Sequence, residues 1–150
     1  MAIQIGDKLP NFKATKQDGT AFDSQEVNQK PVVIYFYPKD FTPGCTTQAC
    51  SFRDAYQDFQ DLGAEVIGIS GDSASSHQNF QQKYKLPFIL LSDADRKLRR
   101  LFGVPTALFG LLPGRVTYVF DAKGFCIYIF DSMSAKNHIE RALKAIQKAK

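Results

Sequence analysis

Two cysteines stand five positions apart in the segment TPGCTTQAC at 42–50. A cysteine thiolate is a nucleophile, and a second thiol within reach can close a disulfide onto an oxidised partner. Cys45 follows a Pro-Gly pair and falls in the first turn of a predicted helix. Unpaired backbone N–H groups and the positive end of the helix dipole stabilise a thiolate there. The pattern therefore predicts an accessible, reactive thiol at Cys45.

Helical periodicity separates the two cysteines. At about 100° per residue, Cys45 shares an apolar stripe with Ala49, Phe52, Tyr56 and Phe59. Cys50 lies about 140° away, on a face with Asp54, Gln57 and Asp61. Burial as a small apolar side chain would explain Cys45. A cysteine on a polar face needs another reason, because cysteine is among the most often buried residues. Meeting an oxidised partner thiol is such a reason, so the pair predicts redox chemistry.

The spacing also predicts a motion. Five residues of ideal helix place two Cα atoms about 8.7 Å apart, whereas a disulfide needs them within roughly 7 Å. We therefore expect the first turns of the helix to unwind when Cys45 is oxidised. The C-x4-C spacing differs from the C-x-x-C of thioredoxin-type reductases and from the ligand spacing of structural zinc sites.

Three other residues could carry chemistry but are not predicted to do so. Cys126 alternates with Tyr128 and Phe130 along a predicted strand, which favours core packing. His77 and His138 stand among polar helix residues, and we expect both to be solvated. A Cys/His hydrolase would need one of them beside Cys45, and no sequence motif places it there.

The elements that position Cys45 follow from periodicity. Val32–Tyr37 is an unbroken β-branched and aromatic run, typical of a central strand buried on both faces. Other strands are predicted at Phe12–Thr15, Ala21–Phe22, Glu65–Ser70, Ile89–Leu91, Thr117–Phe120 and Phe125–Phe130. Helices are predicted at Thr46–Leu62, Ser76–Tyr84, Arg96–Phe102 and Ala135–Lys148. This order predicts an α/β fold with a mixed central β-sheet flanked by helices and an N-terminal β-hairpin. A thioredoxin-like sandwich has this order, and periodicity alone leaves a flavodoxin-like sheet open.

Composition limits the partners. The 150 residues are 44% hydrophobic and 23% charged, which predicts one globular domain over 1–150. The net charge of +4 resides entirely in 136–150, so no basic face for nucleic acid is expected. No targeting segment or membrane-spanning run is visible. Three cysteines are too few for a secreted disulfide scaffold, so a cytoplasmic setting is expected. The apolar 107–112 loop is expected to pack on its own domain.

The motif TPGC at 42–45, with Pro38 before it and Cys50 after it, resembles peroxiredoxins of the peroxiredoxin Q / bacterioferritin comigratory protein type. The resemblance covers essentially the whole chain. It includes GDKLPNF at 6–12, the strand and turn at 66–72, and LPGRVTYVFD at 112–121. The stretch 109–115 is most similar to plant and cyanobacterial members. Gln48 departs from the pattern, since many relatives carry Glu there.

The resemblance implies a role for five residues. Cys45 is the peroxidatic nucleophile and becomes a sulfenic acid, which Cys50 resolves as an intramolecular disulfide. Thr42 offers a hydroxyl to the thiolate and the peroxide, and Arg115 stabilises the thiolate and polarises the peroxide. Pro38 shields the pocket. Without the resemblance, Arg115 would be taken for a surface charge, Thr42 for a turn residue and Pro38 for a strand terminator.

The expected function is a monomeric, thiol-dependent peroxidase for hydrogen peroxide and organic hydroperoxides, with thioredoxin or a similar dithiol protein as reductant. It needs no metal, flavin or haem, because sulfur supplies the redox chemistry. An organelle interior replaces the cytoplasm if a transit peptide has been removed. The alternative is a redox-sensing binding module in which the same pair switches a surface. Thr42 and Arg115 favour the enzyme, because a sensor need not polarise a leaving oxygen.

Overall fold

The computed structural model describes residues 2–107, 112–134 and 137–149. The strands in these ranges are β1 (Lys13–Lys16), β2 (Ala21–Asp23), β3 (Val32–Phe36), β4 (Glu65–Ser70), β5 (Ile89–Ser92), β6 (Thr106–Ala107), β7 (Leu112–Pro113), β8 (Val116–Phe120) and β9 (Cys126–Asp131). The α-helices are α1 (Pro43–Asp61), α2 (Ala74–Tyr84), α3 (Lys97–Phe102) and α4 (His138–Ala149), and a 3₁₀ turn covers Ser24–Val27.

Seven strands form one mixed sheet in the order β2-β1-β5-β4-β3-β8-β9. The central strands β3, β4 and β5 run parallel, and the other pairs are antiparallel. β6 and β7 form a separate antiparallel pair. The predicted N-terminal hairpin is confirmed as β1 and β2, with Gly19 at φ +86° in the turn, a conformation that favours glycine.

Helices cover both faces of this sheet. All five residues of β3 are buried, so its apolar run serves two cores at once. Ile34 and Phe36 face a core that includes Phe102 of α3. Val33 and Tyr35 face the other core, to which α1, α2 and α4 contribute Phe52, Phe59, Phe80, Ala142 and Ile146. The predicted mixed sheet between helices is confirmed.

The first long helix starts three residues earlier than predicted. Thr42 is extended, with φ −76° and ψ 151°, and Pro43 occupies the first helical position. The Pro-Gly pair resembles a turn in sequence, but the fixed φ of proline suits the first turn of a helix. Cys45 is consequently the third residue of α1.

Two other features bear on the predictions. Residues 108–111, which hold most of the predicted apolar loop and part of the 109–115 stretch, lie outside the described residues, as do 135 and 136 at the predicted start of the last helix. Among the described helices, none combines the length and apolar character needed to cross a membrane.

Candidate active site

Cys45 lies where the central strand delivers the chain to the N-terminus of α1. The first backbone hydrogen bond of the helix runs from the Thr46 N–H to the Thr42 carbonyl, at 2.8 Å. The N–H groups of Gly44 and Cys45 precede that bond and belong to the unpaired end of the helix. Cys45 is 1% exposed, so the expected accessible thiol is in fact buried. Its sulfur therefore faces protein dipoles and a cation rather than bulk water.

That cation is Arg115, which is 4% exposed. One terminal nitrogen of its guanidinium donates to Cys45 Sγ at 3.3 Å. The other donates to the side-chain oxygen of Gln48, and Nε donates to the Met133 carbonyl at 3.0 Å. All three partners are neutral when the thiol is protonated. A buried cation favours a counter-charge, and Cys45 is the one partner of the three that could carry a negative charge.

Two residues of α1 make room for the guanidinium and orient it. A Cβ atom on Gly44 would lie 3.1 Å from the Arg115 terminal nitrogen, so glycine allows the charge to approach the helix end closely. Gln48 is 0% exposed, and its amide nitrogen has no hydrogen-bond partner among the described residues. In the sequence, Gln48 stands out only as a departure from the family pattern. The structure places it in contact with Arg115.

Strand pairing brings Arg115 to the cysteine. β3 and β8 pair antiparallel with Phe36 opposite Val116, so the start of β8 lies beside the end of β3. The Arg99 guanidinium spans the same junction, donating to the Gly114 carbonyl at 3.3 Å and the Tyr37 carbonyl at 3.5 Å. Burial lowers the pKa of Arg99. Arg115 is therefore held by the sheet and by a second buried arginine.

Tyr35 and Cys45 belong to the same buried core on one side of the sheet. The Tyr35 ring stacks on Phe52 with centroids 4.5 Å apart, and its hydroxyl has no hydrogen-bond partner within the described part of the chain. Burial raises the pKa of Tyr35 well above its usual value, and the negative charge of a Cys45 thiolate raises it further. The phenol is therefore neutral and contributes an aromatic ring to the surroundings of Cys45.

Cys50 is half-buried, whereas Asp54, Gln57 and Asp61 on its predicted face are exposed. Both Cys45 and Cys50 are free thiols within one unbroken helix. An intact helix holds the two Cα atoms too far apart for a disulfide.

The structure places Thr42 and Pro38 near the site without testing their predicted roles. Thr42 precedes α1 directly, and its hydroxyl donates to the Lys39 carbonyl at 3.0 Å. Pro38 is half-buried and lines a hollow of about 240 Å³ with Gly71 and Arg99. The hydroxyl contact with the thiolate and the shielding by Pro38 stay predictions.

A buried polar network lies under the loop that leads into α1. The Asp40 carboxylate accepts hydrogen bonds from Tyr37 at 2.6 Å and Ser76 at 2.9 Å, and it lies 2.7 Å from His77 Nδ1. The prediction of a solvated His77 is wrong, since this side chain is 0% exposed. Its spacing with Phe80 and Tyr84, three and seven residues on, was a sequence signal for a buried face.

The same error applies to His138. This side chain is 0% exposed. Its Nδ1 lies 2.7 Å from the Thr117 hydroxyl, and its Nε2 lies 2.9 Å from the Ser132 carbonyl. Burial lowers the pKa of His138, with a contribution from the nearby Arg115 charge. Cys126, by contrast, is buried as predicted, at 1% exposure.

One group of residues has the composition of a metal site. Ligand atoms of Asp40, Asp72 and His77 lie within 4.8 Å of one another. Both nitrogens of His77 already have partners, since Nε2 lies 2.9 Å from the Leu91 carbonyl. Asp72 accepts from the Asp40 backbone N–H at 2.8 Å and the Ser70 hydroxyl at 2.6 Å. These atoms are committed to each other, and the cluster acts as a structural polar core.

Comparisons with known proteins show which family the chain belongs to. Residues 5–129 match the AhpC/TSA family. The chain is 54% identical to "Peroxiredoxin Q, chloroplastic" of Oryza sativa subsp. japonica and of Triticum aestivum, over 97% of this chain and 67% of each relative.

Solved structures show the same likeness. Peroxidoxin BcpB of Mycobacterium tuberculosis is 32% identical, with a TM-score of 0.90 over 99% of both chains. The bacterioferritin comigratory protein of Xanthomonas campestris is 30% identical, with a TM-score of 0.85 over 92% of this chain and 91% of that one. The fold is thioredoxin-like, as predicted. The chain belongs to the AhpC/TSA family and is a thiol-dependent peroxidase of the peroxiredoxin Q type.

Proposed function

We propose that Cys45 is the nucleophile that attacks peroxide in this thiol-dependent peroxidase, and that Cys50 is the resolving thiol. The observation that carries the proposal is the 3.3 Å contact between Cys45 Sγ and the Arg115 guanidinium at the start of α1. A fixed positive charge and the unpaired end of a helix both favour a thiolate, and both are present before any substrate binds.

The first chemical step forms a sulfur–oxygen bond. The Cys45 thiolate attacks the terminal oxygen of a hydroperoxide, the O–O bond breaks, and Cys45 becomes a sulfenic acid. The second oxygen leaves with the electron pair and takes a proton to become water or an alcohol. Sulfur is oxidised by two electrons and the peroxide is reduced by two. Arg115 stabilises the negative charge as it moves from sulfur to the leaving oxygen, and Thr42 hydrogen-bonds the thiolate and the peroxide.

The second step forms the disulfide. The Cys50 thiolate attacks the Cys45 sulfur, the hydroxyl leaves as water, and a Cys45–Cys50 disulfide results. The helix must unwind for the two sulfurs to meet. Hydrogen exchange over residues 45–52 measures this motion. We expect weaker protection in the oxidised protein, and equal protection in both states would contradict the unwinding.

The partners follow from the chemistry and from the relatives. A dithiol protein of the thioredoxin type returns the disulfide to two thiols by exchange. Hydrogen peroxide and small organic hydroperoxides suit a nucleophile that is 1% exposed, with Pro38 shielding its pocket. We propose a monomer that acts in the cytoplasm or in an organelle interior. The name of the rice relative, which describes it as chloroplastic, supports the second compartment.

The deciding experiment measures hydrogen peroxide consumption with excess dithiothreitol for the parent, Cys45→Ser and the matched control Cys126→Ser. We expect many turnovers by the parent and by Cys126→Ser, and none by Cys45→Ser. Turnover in Cys45→Ser would move the chemistry to another residue. Oxidation of the parent once per chain, without recycling, would support the redox-sensing module instead.

A further inference from the structure

Asp40 and His77 form a buried hydrogen-bonded pair. Nδ1 of His77 lies 2.7 Å from an Asp40 oxygen that also accepts the Ser76 hydroxyl, while the other Asp40 oxygen accepts the Tyr37 hydroxyl. Nε2 of His77 lies 2.9 Å from the Leu91 carbonyl, which accepts only, so Nε2 donates to it. The two residues are 3% and 0% exposed, so these hydrogen bonds are shielded from water.

This hydrogen-bonded pair fixes a short loop at 38–42 against α2. Asp40 belongs to the loop, whereas Ser76 and His77 belong to the first turns of α2. The Asp40 backbone N–H also donates to Asp72 at 2.8 Å, just before that helix. The loop ends at Pro43, the first residue of α1, so the anchor lies five residues before Cys45. Any unwinding that starts at the N-terminus of α1 pulls on this anchor.

The anchored loop stores backbone strain. Phe41 has φ +65°, in the left-handed region that a bulky side chain rarely adopts. Its ring is 44% exposed and packs edge-on against Phe80 of α2, with centroids 5.1 Å apart. A strained residue persists only where its surroundings hold it, and here the buried Asp40–His77 pair lies next to it in the chain. Releasing Asp40 would let Phe41 relax, which favours the unwound state.

We propose that Asp40 and His77 are positioning residues that hold the 38–42 loop in the folded, peroxide-reactive state and so set how readily α1 unwinds for disulfide formation. This proposal rests on the proposed roles of Cys45 and Cys50. Its consequence concerns the fate of the sulfenic acid. Slow unwinding gives a second peroxide time to react, transferring an oxygen to sulfur and leaving as water or alcohol, so that Cys45 becomes a sulfinic acid. The Asp40–His77 pair therefore sets how much of the Cys45 sulfenic acid becomes disulfide and how much is over-oxidised.

The test uses Asp40→Asn and His77→Gln in the full chain. Because the chain has no tryptophan, rapid quenching with a thiol-alkylating reagent and mass spectrometry follows each species of Cys45. We expect disulfide formation from the sulfenic acid to accelerate about tenfold, the effect of losing one buried hydrogen bond. The rate of the first oxidation should change less than this. The peroxide concentration that gives half sulfinic acid should rise in proportion.

The matched control is Ser73→Ala. Ser73 caps α2 by accepting the Ser76 N–H at 3.2 Å. Its replacement by alanine loosens the same helix without removing a bond to Asp40. Disulfide formation at the parent rate in Asp40→Asn and His77→Gln, or equal acceleration in Ser73→Ala, would overturn the proposed role of the Asp40–His77 pair. If Asp40→Asn does not fold, Ser76→Ala removes one bond to the carboxylate and should accelerate resolution to a smaller degree. A parent that forms no Cys45–Cys50 disulfide would instead contradict the proposed function itself.

Discussion

Arg115 and Cys45 are 70 residues apart in sequence, yet a guanidinium nitrogen lies 3.3 Å from the sulfur. Arg115→Lys keeps the positive charge, but an ammonium group cannot reach Cys45, Gln48 and the Met133 carbonyl together. We expect the rate constant for Cys45 oxidation by hydrogen peroxide to fall by about 100-fold, as for the loss of one oriented donor in an active site. Single-turnover kinetics measure this rate. Arg141→Lys, on the exposed face of α4, is the control, and an equal loss in both variants would contradict the role of Arg115.

Cys50→Ser should separate the two steps of catalysis. The nucleophile and Arg115 stay intact, so the first oxidation of Cys45 should proceed at the parent rate. The sulfenic acid then has no resolving thiol and should accumulate, which a dimedone adduct at Cys45 detects by mass spectrometry. Cys126→Ser should behave as the parent in the same assay. If Cys50→Ser gave no adduct and instead formed a Cys45–Cys126 disulfide, Cys126 rather than Cys50 would be the resolving thiol.

Gly68→Ala tests the packing beneath the site. A Cβ atom there would lie 2.8 Å from Cζ of Tyr35 and 2.9 Å from Cδ2 of Leu90. Tyr35 is stacked on Phe52 and cannot give way, so we expect a loss of about 1–3 kcal/mol in the free energy of unfolding. Denaturant titration measures the loss. Gly71→Ala is the matched control, since its nearest atom would lie 3.7 Å away. Equal stability of the two variants would show that the sheet accommodates the extra methyl.

The buried thiol of Cys126 should make the stability of the protein depend on pH. Burial raises the pKa of Cys126 from 9.0 to about 11, partly offset by a backbone hydrogen bond at Tyr128. The folded state therefore keeps the proton that the unfolded state releases. The contribution of Cys126 to the free energy of unfolding is therefore fully present below pH 9.0 and is lost as the pH rises towards about 11.

The comparison of the parent with Cys126→Ala isolates this effect. The difference in unfolding free energy between the two proteins should shrink as the pH is raised across that interval. In the native parent at neutral pH, Cys50 should react with an alkylating reagent before Cys126 does. A difference in stability that is independent of pH would mean that Cys126 does not keep its proton on folding.

Local features of the sequence predicted most of the fold. The apolar run Val32–Tyr37 predicted a central strand because only a doubly buried strand has no polar face. The stripe that includes Ala49 and Phe52 predicted the long helix, although its start was placed three residues late. Pro43 and Gly44 favour a turn by composition, and the helical choice depends on the chain direction that β3 imposes.

The site was predictable only where a motif marks it. Cys45 and Cys50 follow from spacing, whereas Arg115 owes its assignment to the family resemblance. Asp40 and His77 were missed, because the two residues are 37 positions apart and meet only through the packing of α2 on the sheet. The spacing of His77 with Phe80 and Tyr84 indicates a buried face, but it gives no sign that a carboxylate lies beside the histidine. Such pairs become visible only when the tertiary structure is known.

The pairing of Phe36 with Val116 has a consequence for the order of synthesis. A ribosome releases Cys45 and its helix long before it releases β8, so the growing chain carries the thiol without its guanidinium. Until β8 adds to the edge of β3, the sulfur has only the helix end beside it. The antiparallel register thus gives Cys45 its guanidinium neighbour only after residues 116–120 have been synthesised and have paired with β3.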